Sequence, residues 1–236
     1  MGYPTVTNYD PHDGIRAVNH DSQSLHTNDT GSALTVKRAT LLGKILSVIG
    51  TVTDGSNTGN GTCTALALGD GGPAKVGTYT LTCIVAGTTH GGTFKLKDPD
   101  GIDLATIIMP DTASGTYAYE GNGIAFTLTD AATNFIVGDS FTFTVTEGSG
   151  YYKQYSASAK DGSNSIKGIS LNEVVHTANG NKSVGVMLQG TVDEDLIILH
   201  GNDPGDNITD AIKDELLLLG IRTVKYTDPS ILDNQS

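Results

Sequence analysis

"GSGYYKQYSASAKDGS", residues 148–163, carries a short β-prone run led by Tyr151, Tyr152 and Tyr155 and closes on Asp161-Gly162, a turn signal. It reads as the interior of a small β domain rather than its beginning. About a hundred residues upstream, "ATLLGKILSV" (39–48) reads as a strand that stops before its partner arrives. The two stretches are read as halves of one domain, with the material between them inserted into it.

The composition of the 236 residues fits a β protein: apolar residues make up 37%, Gly is abundant at 30, and charged residues make up 17%. The chain has no Trp and no apolar run long enough for a membrane-crossing helix. The opening "MGYPTVTNYDPHDG" has neither the basic start nor the apolar stretch of a secretory signal, and Val6 stands where a myristoylation signal needs Ser or Thr. A net charge of −12 argues against a nucleic-acid partner, which requires clustered Lys and Arg. The charge is uneven: residues 50–150 carry ten acidic and three basic side chains, whereas residues 1–49 carry four of each. The middle section is thus compositionally distinct.

Residues 1–32 show neither helical nor strand periodicity, and their apolar residues (Val6, Ile15, Val18, Leu25) are isolated. Such a segment is expected either to be a disordered tail or to be an extended arm that orders on a partner. Beyond it, residues 33–49 turn to short β-prone runs, with Gly43 expected at a tight turn, and "GTVTDGSNTGNGT" (50–62) reads as a boundary loop. The section 50–149 then predicts strands near 62–68, 78–86, 92–97, 103–109, 123–129 and 140–146. The alternation is clearest in "IAFTLT" (124–129) and "SFTFTVT" (140–146). Strands at this spacing, separated by turn formers such as "DPDG", point to an Ig-like β-sandwich. The final section, 150–236, predicts further strands and one helix over 207–221. In that helix Ile208, Ile212, Leu216 and Leu219 share a face, Thr209 caps the start and Gly220 the end. Leu216–Leu219 read as core, although four leucines in a row leave one able to face a neighbour.

Catalytic and metal-binding patterns do not emerge. The six histidines (12, 20, 26, 90, 176, 200) are scattered without metal-ligand spacing. "LLGKILS" and "GDGGPAK" lack the full phosphate-loop pattern, and no Gly-x-Ser-x-Gly elbow occurs. Asp98, Asp100 and Asp103 in "KDPDGID" faintly resemble a calcium loop but lack its terminal Glu, and Asp193, Glu194 and Asp195 read as a solvated turn. The expectation is therefore a protein that is not an enzyme, with no cofactor and no metal. If "TCTALAL" (62–68) and "TYTLTCIV" (78–85) form a hairpin with Leu68 opposite Thr78, Cys63 falls opposite Cys83. A disulfide is then geometrically open, although a reduced pair is expected in a cytoplasm.

With residues 50–149 set aside, the remainder resembles the lambda-type head decoration proteins of tailed bacteriophages. The matching stretches are "ALTVKRATLLGKIL" (33–46), "YYKQYSASAKDGSNSIKGISLNEV" (151–174), "SVGVMLQGTVDEDLI" (183–197) and "AIKDELLLLGIRTV" (211–224), in that order. The resemblance implies a small β-rich core made of 33–49 and 150–236 with one C-terminal helix. It also implies an extended N-terminal arm, 1–32, and a sandwich domain inserted at a hairpin, which resembles modules found within phage structural proteins. The implied function is capsid cementing. A homotrimer would bind the outer surface of the expanded head, with the major capsid protein as partner, and stabilise it against the pressure of packaged DNA. It would be assembled in the bacterial host cytoplasm, with the insert projecting outward. On this reading the arm residues Tyr3, Pro4, Val6 and Tyr9 are the expected capsid contacts, because apolar and aromatic side chains are what can anchor such an arm. The alternative is a surface-displayed adhesive module whose sandwich recognises a host glycan or protein.

Overall fold

The computed structural model describes residues 14–199 and 208–225. Among the described residues the chain is mainly β, 52% strand, with one α-helix. Along it run β1 (Ile15–Asn28), β2 (Leu34–Val36), β3 (Leu41–Lys44), β4 (Ser47–Ile49), β5 (Thr53–Asp54), β6 (Thr62–Leu68), β7 (Gly77–Ala86), β8 (Gly92–Lys97), β9 (Asp103–Met109), β10 (Thr116–Gly121), β11 (Ile124–Thr129) and β12 (Ser140–Glu147). Then follow β13 (Tyr152–Gln154), β14 (Ile166–Ser170), β15 (Val174–His176), β16 (Gly180–Asp193), α1 (Asp210–Leu218) and β17 (Ile221–Val224). The chain divides into two units. The first comprises the residues up to Ile45, Gly150–Ala159 and those from Ser163 on; the second comprises Leu46–Ser149 with Lys160–Gly162.

In the first unit one sheet runs β1-β13-β3-β14-β16-β17, and β1 also pairs with β16, so the sheet closes into a barrel-like ring. Leu41 and Leu42 explain why "ATLL" is continuously apolar. Successive strand residues point to opposite faces, and here both faces are covered. Leu41 packs with Ile166, Ile169, Leu216 of α1 and Ile221, whereas Leu42 packs with Val36, Tyr152, Val174 and Val184. The helix ends earlier than the 207–221 expected, at Leu218, and Ile221 already belongs to β17, but the capping residues are as the sequence predicts: Thr209 Oγ1 accepts from the Ile212 N–H, and Gly220 takes the left-handed φ of +82°. Glu215 fastens the helix to β14 by accepting from the Ile166 N–H at 2.7 Å. Of the four leucines, Leu216 is buried and Leu219 packs on the core, while Leu217 and Leu218 are 62% and 88% exposed.

The second unit is a sandwich of two antiparallel sheets. One has the order β4-β12-β7-β8-β9, with β5 also on β12, and the other has the order β10-β11-β6. Alternation along β11 and β12 puts Ile124, Phe126, Leu128, Phe141, Phe143 and Val145 into a common core with Tyr79, Phe94 and Phe135. Phe94 and Phe135 meet edge to face at 4.9 Å, a contact worth about 1 kcal/mol beyond the area it buries. Asp139 organises the loops at one end: its carboxylate accepts from the N–H groups of Thr58, Gly59 and Ile136 at 2.8–3.0 Å. Burial would raise its pKa, but these three bonds prevail and hold it below the usual carboxylate value.

The chain leaves the first unit and returns to it at adjacent points. Lys44 pairs with Tyr152, and the Gly150 N–H donates to the Ile45 carbonyl at 3.0 Å. Within the second unit, Ser47–Ile49 pair with Glu147–Val145. Residues 47–49, expected to end the core, therefore form an edge strand of the sandwich.

Three expectations need correction. Residues 15–28, read as part of a featureless arm, form a long strand whose partner is the chain's own β16, in antiparallel register from Ile15↔Val192 to Asn28↔Gly180. Side-chain periodicity does not reveal it because much of its side-chain surface is exposed and main-chain bonds hold it. Second, β6 pairs not with β7 but with β11. Cys63 stands opposite Leu128 and Cys83 opposite Phe94, on different sheets, and both thiols are free and buried. The connection from β6 to β7 crosses between the sheets, so the hairpin that would set Cys63 opposite Cys83 does not form. Third, Gly43 is not in a turn. It lies inside β3, where an added Cβ would come within 2.5–2.7 Å of the Ser163 backbone. Gly43→Ala should therefore destabilise the protein by roughly 3 kcal/mol through forced backbone separation, read as a lowered denaturant midpoint with an unchanged slope.

Candidate functional site

The arm residues Tyr3, Pro4, Val6 and Tyr9 lie outside the described residues. Within those residues the first unit has a cleft of about 220 Å³ lined by Thr27, Asn28, Asp29, Leu34, Lys153 and Gln154, among others. The elements that build it are the end of β1, the turn after it and β13. Lys153 Nζ meets Asp29 Oδ2 at 2.8 Å across the cleft. Asn28 is buried and shapes the turn: its Nδ2 donates to the carbonyls of Ser32 (2.7 Å) and Ala178 (3.2 Å), and its Oδ1 accepts from the Thr30 N–H and hydroxyl.

Two residues from Asn28 along β1, His26 is fully buried, and its Nδ1 lies 3.0 Å from Nε2 of His176, the last residue of β15 and also buried. Burial, aided by the neighbouring His176, lowers the pKa of His26 from 6.5 to about 4. Burial and then Lys182 lower that of His176. The sequence shows these histidines 150 positions apart, and spacing offers no reason to join them. The faint signal is the echo of "HTN" (26–28) in "HTAN" (176–179), two segments that the fold brings together.

In the second unit, "KDPDGID" holds no calcium-like loop. Asp98 Oδ1 accepts from the Asp100 and Ile102 N–H groups, and the Lys75 ammonium bonds to both Asp98 Oδ2 and Asp100 Oδ2. Two of these carboxylates are thus engaged by a lysine of the same unit. Asp103 turns away to pair with Lys95 at 2.8 Å. Near the opposite loops, Asp130 is buried and accepts from the Gly91 N–H and His90 Nδ1 at 3.1 and 3.2 Å. Among the described residues no three His, Cys, Asp or Glu side chains form a group that could hold a metal ion. Within the acidic run 193–195, Glu194 pairs with Lys213 of α1 at 2.6 Å, Asp193 accepts from the Asp195 N–H in the local turn, and Asp195 is exposed.

No family model and no curated protein matches the chain. Among solved structures, FlgL of Xanthomonas campestris aligns at 17% identity over 50% of this chain and 33% of that one, with a TM-score of 0.32. This chain thus spans about a third of that protein's length, and a likeness of this size carries neither fold nor function.

Both cysteines are buried and free. Burial pushes the Cys63 thiol up to about 12 and also raises that of Cys83. A thiol reagent at pH 8 should label neither cysteine in the native protein on the timescale on which it labels both in denaturant. Prompt labelling of the native protein would contradict the buried, unreactive setting.

Proposed function

We propose that this chain is a structural protein of a tailed-phage head that cements the outer surface of the expanded capsid. The observation that carries this reading is where the stretches resembling lambda-type decoration proteins fall. Residues 33–46, 151–174, 183–197 and 211–224 are scattered over the sequence, yet apart from Leu46 and Lys160–Gly162 all belong to the first unit. They supply β2, β3, β13, β14, β15, most of β16, the helix and β17. The intervening hundred residues fold as a unit of their own. A series of individually weak motifs is more specific when nearly all of its members converge in one unit.

The proposal includes self-association as a trimer. The exposed Leu217 and Leu218 at the end of α1 are apolar side chains in a position to meet a neighbouring copy. The capsid contact is assigned to the segment before β1, with Tyr3, Pro4, Val6 and Tyr9 as anchors. Three such contacts on one trimer reinforce one another, because each rebinds at high effective concentration while the others hold.

The barrel-like sheet changes how the proposal must be tested. Deleting 1–32 would remove β1 and with it the closure of the sheet, so loss of binding would report misfolding. The appropriate probe is the full chain with Tyr3, Pro4, Val6 and Tyr9 all changed to Ala. The wild type should co-sediment with expanded, undecorated capsids and raise the temperature at which they rupture, and the fourfold variant should bind at least about tenfold more weakly. A wild-type protein that stays in the supernatant would overturn the cementing function, and an undiminished variant would overturn the arm assignment.

A further inference from the structure

The His26–His176 contact is a hydrogen bond between neutral rings. The ring centroids lie 5.1 Å apart with the nitrogens 3.0 Å apart, an almost head-to-head approach. The facing nitrogens therefore point at each other rather than converging on a third point, which excludes a chelate and requires one N–H and one bare nitrogen. His26 Nε2 is buried and has no hydrogen-bond partner. The arrangement that leaves least unsatisfied puts the shared proton on His26 Nδ1 and leaves Nε2 bare. A further proton on Nε2 would create a buried cation with an unbonded donor, which is far more costly than a bare lone pair.

The surroundings offer such a charge little support. β16 contributes Lys182, in register with His26 and donating to the Val175 carbonyl at 2.5 Å. β13 contributes Lys153, beside Tyr152, which stands opposite His26. The turn after β1 contributes Asp29, whose carboxylate already pairs with Lys153. β15 contributes His176 itself.

We propose that the His26–His176 pair is an acid-sensitive latch, which fastens the end of β1 to the two-stranded antiparallel ribbon formed by β2 and β15 while neutral and releases it when protonated. Released to water, an imidazole titrates near 6.5, whereas in the closed form His26 titrates at about 4. The closed form is therefore fully favoured above pH 6.5 and loses its advantage as pH falls toward 4. Each pH unit in that window favours opening about tenfold, so His26 alone shifts the balance by roughly 300-fold across it. The opening is local. β1 remains paired with β16 from Ile15 to Ser24, while its last residues come away from β16 as well, and Asn28 joins Ser32 and Ala178 to the part that moves.

Amide hydrogen exchange of the full-length protein tests this, with exchange times scaled to the intrinsic rate at each pH. Between pH 7 and pH 4, peptides covering 25–36 and 172–182 should lose protection by about two orders of magnitude, while those from β7 and β12 should not. The His26→Gln/His176→Gln variant can keep a hydrogen bond but cannot titrate, and it should show no such loss. Ring resonances of ¹³C-labelled histidine in the wild type provide a readout independent of the variant's folding: those of His26 and His176 should titrate together with the opening. Unchanged protection at pH 4, an equal loss in the variant, or a His26 ring that titrates near 6.5 without opening would each overturn the latch.

Discussion

The first unit depends on the pairing of β1 with β16. Each strand is fourteen residues long, and their ladder turns an open sheet into a closed one. The ladder is thin in hydrophobic terms. Only the ends of β1 are well covered: Ile15 and Ala17 pack against the core beside α1, and His26 and Asn28 are buried at the other end. A main-chain hydrogen bond contributes about 1 kcal/mol net, while ordering a residue costs roughly 1–2 kcal/mol. A strand with an exposed middle therefore gains little from its own length, and its two anchored ends decide whether it stays.

This balance also explains which parts of the fold are legible in the sequence. The sandwich strands β6 to β9, β11 and β12 are readable because each buries one face and leaves the other wet, which writes a two-residue period into "IAFTLT" and "SFTFTVT". The helix is readable because Thr209 and Gly220 mark its ends and one face carries the apolar side chains. β1 is not readable, since its energy lies in main-chain groups that every residue has. The tyrosines of "TYAYEG" in β10 alternate visibly, but the strand lies between glycine-rich turns that masked its extent.

Long-range pairing is the other thing that local patterns do not carry. The cysteines match a hairpin register that the chain does not use, because in a two-sheet sandwich the next strand in sequence can join the opposite sheet. The buried histidines have the reverse character. Nothing near them in sequence marks them, yet the fold brings them to hydrogen-bonding distance. The candidate cleft was similarly hidden: Asp29 and Lys153 meet only because β1 lies alongside β13.

The polar end of β1 also answers a question of register. The β1–β16 ladder contains three register shifts, between Ala17 and Asn19, between Asn19 and His20, and between Asp21 and Ser24. These shifts fix the alignment only at their own positions, and the exposed middle adds little side-chain selection. A slip of one residue would turn His26 and Asn28 outward. It would break the imidazole pair and the Asn28 bonds to Ser32 and Ala178, leaving several buried groups without partners. Apolar residues at these positions would tolerate neighbouring alignments more readily, because apolar contacts are not directional. Buried polar groups here therefore serve specificity more than stability, selecting one closure of the sheet from several of similar hydrophobic merit.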